Sequence, residues 1–147
     1  MEEKKGFRVV VSPHPDDEIF CLSELKRGVD EVIYVTETEG GRDLEAINLA
    51  RELMFRPIFC HGLKGLSVNI TFLHDYSGTT LFIPKSVEGD HPMHRLVSWF
   101  VRQIAETRKI KIIEYHIDTN KITEEMKWYI NKFYPSQKWL LDEEERI

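Results

Sequence analysis

The sequence predicts an α/β fold, a Rossmann-like, doubly wound and mostly parallel sheet with helices on both faces. One observation is that short, β-branched apolar runs alternate along the chain with stretches that have helical spacing. A second is that 147 residues, of which 41% are hydrophobic, suit one compact domain, taken here as residues 1–147. In such sheets ligands bind outside the carboxyl ends of the strands, so we expect the functional site in the loops that follow the strands.

Three strands and two helices are predicted in the first 60 residues. The strands are apolar runs of the kind that parallel sheets bury on both faces. In chain order the elements are a strand from Phe7 to Ser12, a helix from Glu18 to Lys26, a strand from Glu31 to Thr36, a helix after Gly41 and a strand from Pro57 to Cys60. The second helix is predicted from an apolar stripe of Ala46, Ile47, Ala50, Leu53 and Met54.

The second half predicts a turn-rich middle and then a further helix, strand and helix. Residues 62–89 contain many turn formers, with β-leaning runs from Val68 to Leu73 and from Leu81 to Ile83. The strongest helical pattern in the chain runs from about Met93 to Thr107 and has a stripe of Met93, Leu96, Val97, Phe100, Val101, Ile104 and Ala105. The remaining elements are a strand from Ile110 to Tyr115 and a helix that Thr123 caps and that ends at Phe133.

Composition argues against several classes of protein. With 20 Lys and Arg against 25 Asp and Glu, the net charge of −5 disfavours a nucleic-acid partner. Two cysteines, Cys21 and Cys60, are too few for a secreted disulfide framework and are expected to be buried, reduced thiols. Neither a secretory leader nor a membrane span is recognised, so we expect a cytoplasmic protein with no membrane partner.

The first predicted strand leads directly into Pro13-His14-Pro15-Asp16-Asp17-Glu18, a loop rich in metal-binding and proton-carrying groups. The two prolines restrict the residues before them and predict a stiff, extended loop. In an extended segment the carboxylates of Asp16 and Asp17 point to different sides. One carboxylate can therefore bind a metal while the other addresses a water molecule, which suits metal-assisted hydrolysis.

A catalytic zinc ion needs about three protein ligands and an open position. His14 and Asp17 supply two, and the third is expected from Asp90-His91-Pro92-Met93-His94 at the start of the strongest helix. Because Pro92 disfavours helical geometry at the residue before it, His91 is expected in the loop and His94 in the first helical turn. We therefore predict that His94 binds the metal and that His91 acts on the reacting group.

Three segments together resemble the signatures of the PIG-L/LmbE-like de-N-acetylases. They are VVVSPHPDDEIF, EGGRDLEAINLARELM and DHPMHR, and the family signatures are a PHPDDE loop after the first strand, a helix R-x-x-E-x-x-x-A-x-x-L and a later H-P-D-H. Arg42 and Glu45 match the helix, Leu53 lies one residue beyond the place of its leucine, and Ala46 and Ala50 lie near its alanine. Residues 134–137, Tyr-Pro-Ser-Gln, resemble the family's Y-x-S-Q, so the resemblance extends from about Phe7 to Gln137.

The resemblance implies a zinc-dependent hydrolase that removes an acetyl group from an N-acetylated amino sugar, such as N-acetylglucosamine, or from a related small amine. By resemblance His14, Asp17 and His94 hold zinc, and Asp16 is the general base that takes a proton from the attacking water. His91 would stabilise the oxyanion and assist departure of the amine. Arg42 would contact hydroxyl groups of the substrate.

The chain also departs from the family pattern. Met93 stands where the family has the aspartate of H-P-D-H, and the loss of such an outer partner costs about 10- to 100-fold in affinity or activity. Cys-Leu-Ser-Glu at residues 21–24 replaces the usual Gly-Gly-Thr. The chain is also shorter than usual members, so we expect an open site, or one that a neighbouring subunit completes in a homo-oligomer.

Other interpretations remain open on the sequence alone. A degenerate member of the family would bind metal or sugar without catalysis. His14, Asp17 and His94 are also the donor set of two-histidine, one-carboxylate iron oxygenases, which often adopt all-β folds. His91 and His94 are also compatible with a helix cap and a surface histidine, and Arg42 with an ordinary surface ion pair.

Overall fold

The computed structural model describes residues 6–36, 42–66, 69, 78–85, 92–108 and 110–140. Its strands are β1 (Arg8–Ser12), β2 (Glu31–Tyr34), β3 (Arg56–Phe59), β4 (Thr80–Pro84) and β5 (Lys111–Tyr115). Its principal helices are α1 (Leu22–Arg27), α2 (Arg42–Leu53), α3 (Pro92–Arg108) and α4 (Glu124–Phe133). Short 3₁₀ segments occupy Asp17–Cys21, Thr119–Lys121 and Pro135–Leu140.

The five strands form one sheet in the order β3-β2-β1-β4-β5, and every neighbouring pair is parallel. The chain starts in the centre of the sheet, winds outward to β3, and then returns to the other side of β1. This confirms the predicted doubly wound α/β fold. The strand order reverses between β1 and β4, so the loops that leave these two strands border the crevice where such folds bind ligands.

Both faces of the sheet are covered by helices. Val10 of β1 packs on one face with residues of α1, α2 and α4, while Val9 and Val11 pack on the other face with α3. Successive residues of a strand point to opposite faces, so a strand covered on both sides must be apolar throughout. This is why the first strand has the unbroken valine run that predicted it.

Most predicted elements are confirmed, with small shifts at their ends. The run from Leu81 to Ile83 lies within β4, and the run from Val68 to Leu73 lies largely outside the described residues. Thr123 caps α4, and its side-chain oxygen accepts a hydrogen bond from Met126 N at 3.1 Å. Cys21 and Cys60 are buried free thiols, as expected.

Two predictions about helices were wrong. The helix expected from Glu18 to Lys26 is divided into the 3₁₀ segment Asp17–Cys21 and α1. In 3₁₀ geometry side chains three residues apart align, which brings Glu18 and Cys21 to the same buried side. Met54 does not belong to the apolar stripe of α2, because the helix ends at Leu53 and the Met54 side chain is 87% exposed.

Leu49, which the predicted stripe of α2 leaves out, belongs to the core. It is fully buried in the cluster that joins α2 to the sheet. We expect Leu49→Ala to lower the free energy of unfolding by about 2–5 kcal/mol, because it leaves a cavity in a packed interior. Leu44→Ala, on the same helix but at a residue that is 68% exposed, should change it by about 0.5 kcal/mol or less. Urea unfolding of both variants measures the difference, and equal losses would contradict this description of the core.

Candidate active site

The predicted site residues lie on three elements that follow adjacent strands. The loop with His14, Asp16 and Asp17 follows β1, Arg42 is the first residue of α2 after β2, and His94 lies in the first turn of α3 after β4. Because β2, β1 and β4 are neighbours in a parallel sheet, their carboxyl ends meet at one edge. The topology therefore gathers these side chains at the switch point between β1 and β4.

The loop after β1 is a tight turn and not the extended segment that the prolines predicted. His14 O accepts a hydrogen bond from Asp17 N at 3.2 Å, so Pro15 and Asp16 occupy the central positions of the turn. Asp16 has φ 105° and ψ −30°, near the values of the third residue of a type II turn. Pro15 suits the preceding position, and aspartate tolerates positive φ better than most residues. In this turn the Asp17 carboxylate faces two histidines and the Asp16 carboxylate faces Arg42, while the two carboxyls also contact each other.

His14, Asp17 and His94 come together as a candidate metal centre. Asp17 Oδ2 lies 3.3 Å from His14 Nδ1 and 3.3 Å from His94 Nε2. One donor atom from each of the three residues lies within 4.8 Å of the others, and the two imidazole rings are 5.8 Å apart. Ligands bound to zinc at ~2.0–2.1 Å in a tetrahedron are about 3.3–3.4 Å from one another. The three residues therefore form a group that could hold a metal ion, and its two Asp17–imidazole distances match the separation of ligands on one ion.

Hydrogen bonding favours the ionised form of Asp17, the form that binds metals. Burial opposes ionisation, but hydrogen bonds from His14 and His94 outweigh it and lower the pKa of this carboxyl below its ordinary value. The backbone N–H of His14 also donates to Asp17 Oδ2 at 3.0 Å. The carboxylate is thus held in place between the two imidazoles.

Asp16 lies beside this group and faces Arg42. Arg42 Nη1 is 3.5 Å from Asp16 Oδ2, and the Asp16 side chain is almost fully buried. Burial, followed by the charges of Asp17 and Glu18, raises the pKa of Asp16 to about 9, while Arg42 acts in the opposite direction. Arg42 Nε is buried and has no hydrogen-bond partner among the described residues.

The predictions for His91 and His94, the two histidines near the start of α3, have different outcomes. His91 lies outside the described residues, so its predicted role in the reaction stays a prediction. Pro92 is the first residue of α3, a position that favours proline, and it places His94 in the first turn as expected. Met93 packs its side chain against the apolar cluster beneath α3. It cannot replace the carboxylate that the family pattern has at this position.

No specific role was predicted for Glu18, although it is the last residue of the first motif. Its side chain is fully buried, and burial raises its pKa to about 7. Glu18 Oε2 accepts a hydrogen bond from Asp16 N at 3.0 Å, and Glu18 Oε1 accepts one from the Tyr134 hydroxyl. One sequence feature could have indicated its role: Glu18 directly follows the two aspartates of the proposed metal-binding loop.

Residues 134–137 also make contacts that the sequence did not predict. Ser136 donates from its backbone N–H to Glu45 Oε2 at 3.1 Å and from its hydroxyl to Glu45 Oε1. Glu45 lies one helical turn after Arg42 on α2. The segment therefore contacts both the loop after β1 and the helix that carries Arg42.

Comparison with protein-family models, with curated proteins and with solved structures gives no match. The resemblance to the PIG-L/LmbE-like de-N-acetylases therefore depends on the motifs quoted above. None of the helices in the described part of the chain is long and apolar enough to cross a membrane.

Proposed function

We propose that this chain is a zinc-dependent hydrolase that removes an acetyl or related acyl group from an N-acetylated amino sugar or a similar small amine. The observation that carries the proposal is the group of His14, Asp17 and His94 with the separate carboxylate of Asp16 next to it. Three ligands leave a position open for water or substrate, which is typical of catalytic zinc sites. The motif resemblance supports amide hydrolysis of an N-acetylated sugar as the reaction.

Zinc at this group would supply a Lewis acid that acidifies water and polarises the acyl oxygen. Asp16 is positioned to take the proton from the attacking water, because its carboxylate is not part of the ligand group and adjoins it. Burial and the neighbouring carboxylates raise the pKa of Asp16 to about 9, and Arg42, 3.5 Å away, opposes them by favouring the ionised form that a base requires. A cation held by the neighbouring ligands acts in the same direction.

The chemical balance is that of amide hydrolysis. The water oxygen adds to the acyl carbon, Asp16 accepts a water proton, and the C–N bond breaks with transfer of a proton to the amine nitrogen. The products are a carboxylate and a free amine. In this proposal His91 donates to the developing oxyanion, and Arg42 contacts a hydroxyl group of the substrate.

Acetate release is the direct test of the proposed reaction. We expect the zinc-loaded protein to release acetate from at least one member of a panel of N-acetylated sugars and amines. A metal chelator should stop the release, and added zinc should restore it, because His14, Asp17 and His94 alone lack an electrophile. Release that continues unchanged in excess chelator would contradict the metal-dependent mechanism.

A non-catalytic member of the family is the second candidate, and the packing of Met93 favours it. The side chain at this position lies against the apolar cluster and offers no carboxylate to orient a neighbouring histidine. Calorimetry that shows tight binding of an N-acetylated sugar, with no acetate released over hours, would support this candidate over the hydrolase. An iron oxygenase would instead show iron-dependent oxygen consumption.

A further inference from the structure

We infer that Tyr134 and Ser136 are positioning residues that hold the carboxylate of Asp16 at the metal group. The inference rests on the proposed function, in which Asp16 is the base, and it gives a role to residues 134–137. Neither Tyr134 nor Ser136 is one of the three candidate ligands. They act through two other side chains, Glu18 and Glu45.

The first connection runs through Glu18. The Tyr134 hydroxyl donates to Glu18 Oε1, and Glu18 Oε2 accepts the backbone N–H of Asp16 at 3.0 Å. Glu18 and Tyr134 are both fully buried, so water does not compete for these bonds. The two oxygens of the Glu18 carboxylate thus join Tyr134, the residue before the 3₁₀ segment Pro135–Leu140, to the backbone of the proposed base.

The second connection runs through α2. Ser136 makes two hydrogen bonds to Glu45, one from its hydroxyl and one from its backbone N–H. Glu45 and Arg42 are three residues apart on the same helix and therefore lie on neighbouring turns. Arg42 in turn contacts Asp16 Oδ2. One short segment therefore reaches the backbone of Asp16 on one side and its carboxylate on the other.

Asp16 needs such support because its backbone conformation is unfavourable. A φ of 105° is uncommon for a residue with a side chain, and it persists only where the surroundings impose it. The hydrogen bond from Asp16 N to Glu18 is one of those constraints. Tyr134 is 116 residues from Glu18, and Ser136 is 91 residues from Glu45, so neither contact comes from local structure.

Tyr134→Phe tests the inference, since it removes the hydroxyl and keeps the ring. We expect kcat for acetate release to fall about 10-fold or more, as happens on loss of an outer partner of a catalytic group, with KM and zinc affinity near those of the wild type. Ser136→Ala should have a smaller effect, because its backbone N–H still donates to Glu45. The matched control is Tyr115→Phe, which removes another buried hydroxyl, one that donates to Val11 O at 2.6 Å.

A double variant separates positioning from general loss of stability. If Tyr134 acts through Asp16, Tyr134→Phe should cause no further loss of rate in a protein that already carries Asp16→Asn. A role in stability alone would lower the melting temperature of Tyr134→Phe and Tyr115→Phe alike and leave kcat unchanged in both. That result, or additive losses in the double variant, would overturn the inference.

Amide hydrogen exchange gives a readout that does not need activity. In Tyr134→Phe the Asp16 amide should exchange faster than in the wild type, while in Tyr115→Phe it should exchange at the wild-type rate. If no acetate is released by any form of the protein, the hydrolase proposal fails. Faster exchange of Asp16 in Tyr134→Phe alone would then still support the positioning contact, and unchanged exchange would overturn it.

Discussion

Asp16→Asn is expected to lower kcat for acetate release by about 10²- to 10⁴-fold, the range that a positioned general base contributes. The amide has nearly the shape of the carboxylate but cannot accept the proton of the attacking water. Asparagine is also the best choice at φ 105°, because it tolerates positive φ where alanine would add backbone strain. Steady-state kinetics on the zinc-loaded variant measure the loss.

The zinc content of Asp16→Asn provides the control for this expectation. The three candidate ligands are unchanged, so the variant should bind one zinc ion with an affinity close to that of the wild type. Glu124→Gln makes the same change of acid to amide on the exposed start of α4 and should keep full activity. Near-normal turnover by Asp16→Asn would show that Asp16 is not the base.

His94→Ala is expected to lower zinc affinity by more than 100-fold. Loss of an outer partner costs about 10- to 100-fold, and His94 is proposed to bind the ion directly. The variant also removes the imidazole that lies 3.3 Å from Asp17 Oδ2 and favours the ionised carboxylate. Competition with a chromophoric chelator measures the zinc affinity. At a limiting zinc concentration the variant should also release no acetate.

His116→Ala is the matched control for this loss. His116 is exposed, and it follows the edge strand β5, two strands away from β1. Its replacement should leave both zinc affinity and acetate release at their wild-type values. If His94→Ala bound zinc as tightly as His116→Ala does, the assignment of His94 as a ligand would be wrong.

Features that depend on short-range pattern were predictable from the sequence. Buried strands need apolar residues on both faces, and so the run at Val9, Val10 and Val11 identified β1 and the loop that follows it. Pro92 separated His91 from His94 by its effect on the backbone, and it does begin α3. The meeting of His14, Asp17 and His94 then follows from the parallel order of β1 and β4.

Features that depend on distant contacts were not predictable in the same way. The prolines suggested an extended loop, but the hydrogen bonds of Asp17 N and of Glu18 fold it into a turn with positive φ at Asp16. Glu18 and Tyr134 are 116 residues apart in the sequence, so no local sequence pattern predicts their contact. Helical spacing similarly included Met54, because spacing alone does not show where a helix ends.

Acetate release measured during a zinc titration of the metal-free protein tests the central claim most directly. The claim is that amide hydrolysis takes place at one metal centre formed by His14, Asp17 and His94. Activity should rise in proportion to added zinc and reach its maximum at about one ion per chain, as expected for a single three-ligand site. Activity that is already complete before zinc is added, or that stays absent at full zinc occupancy, would contradict it.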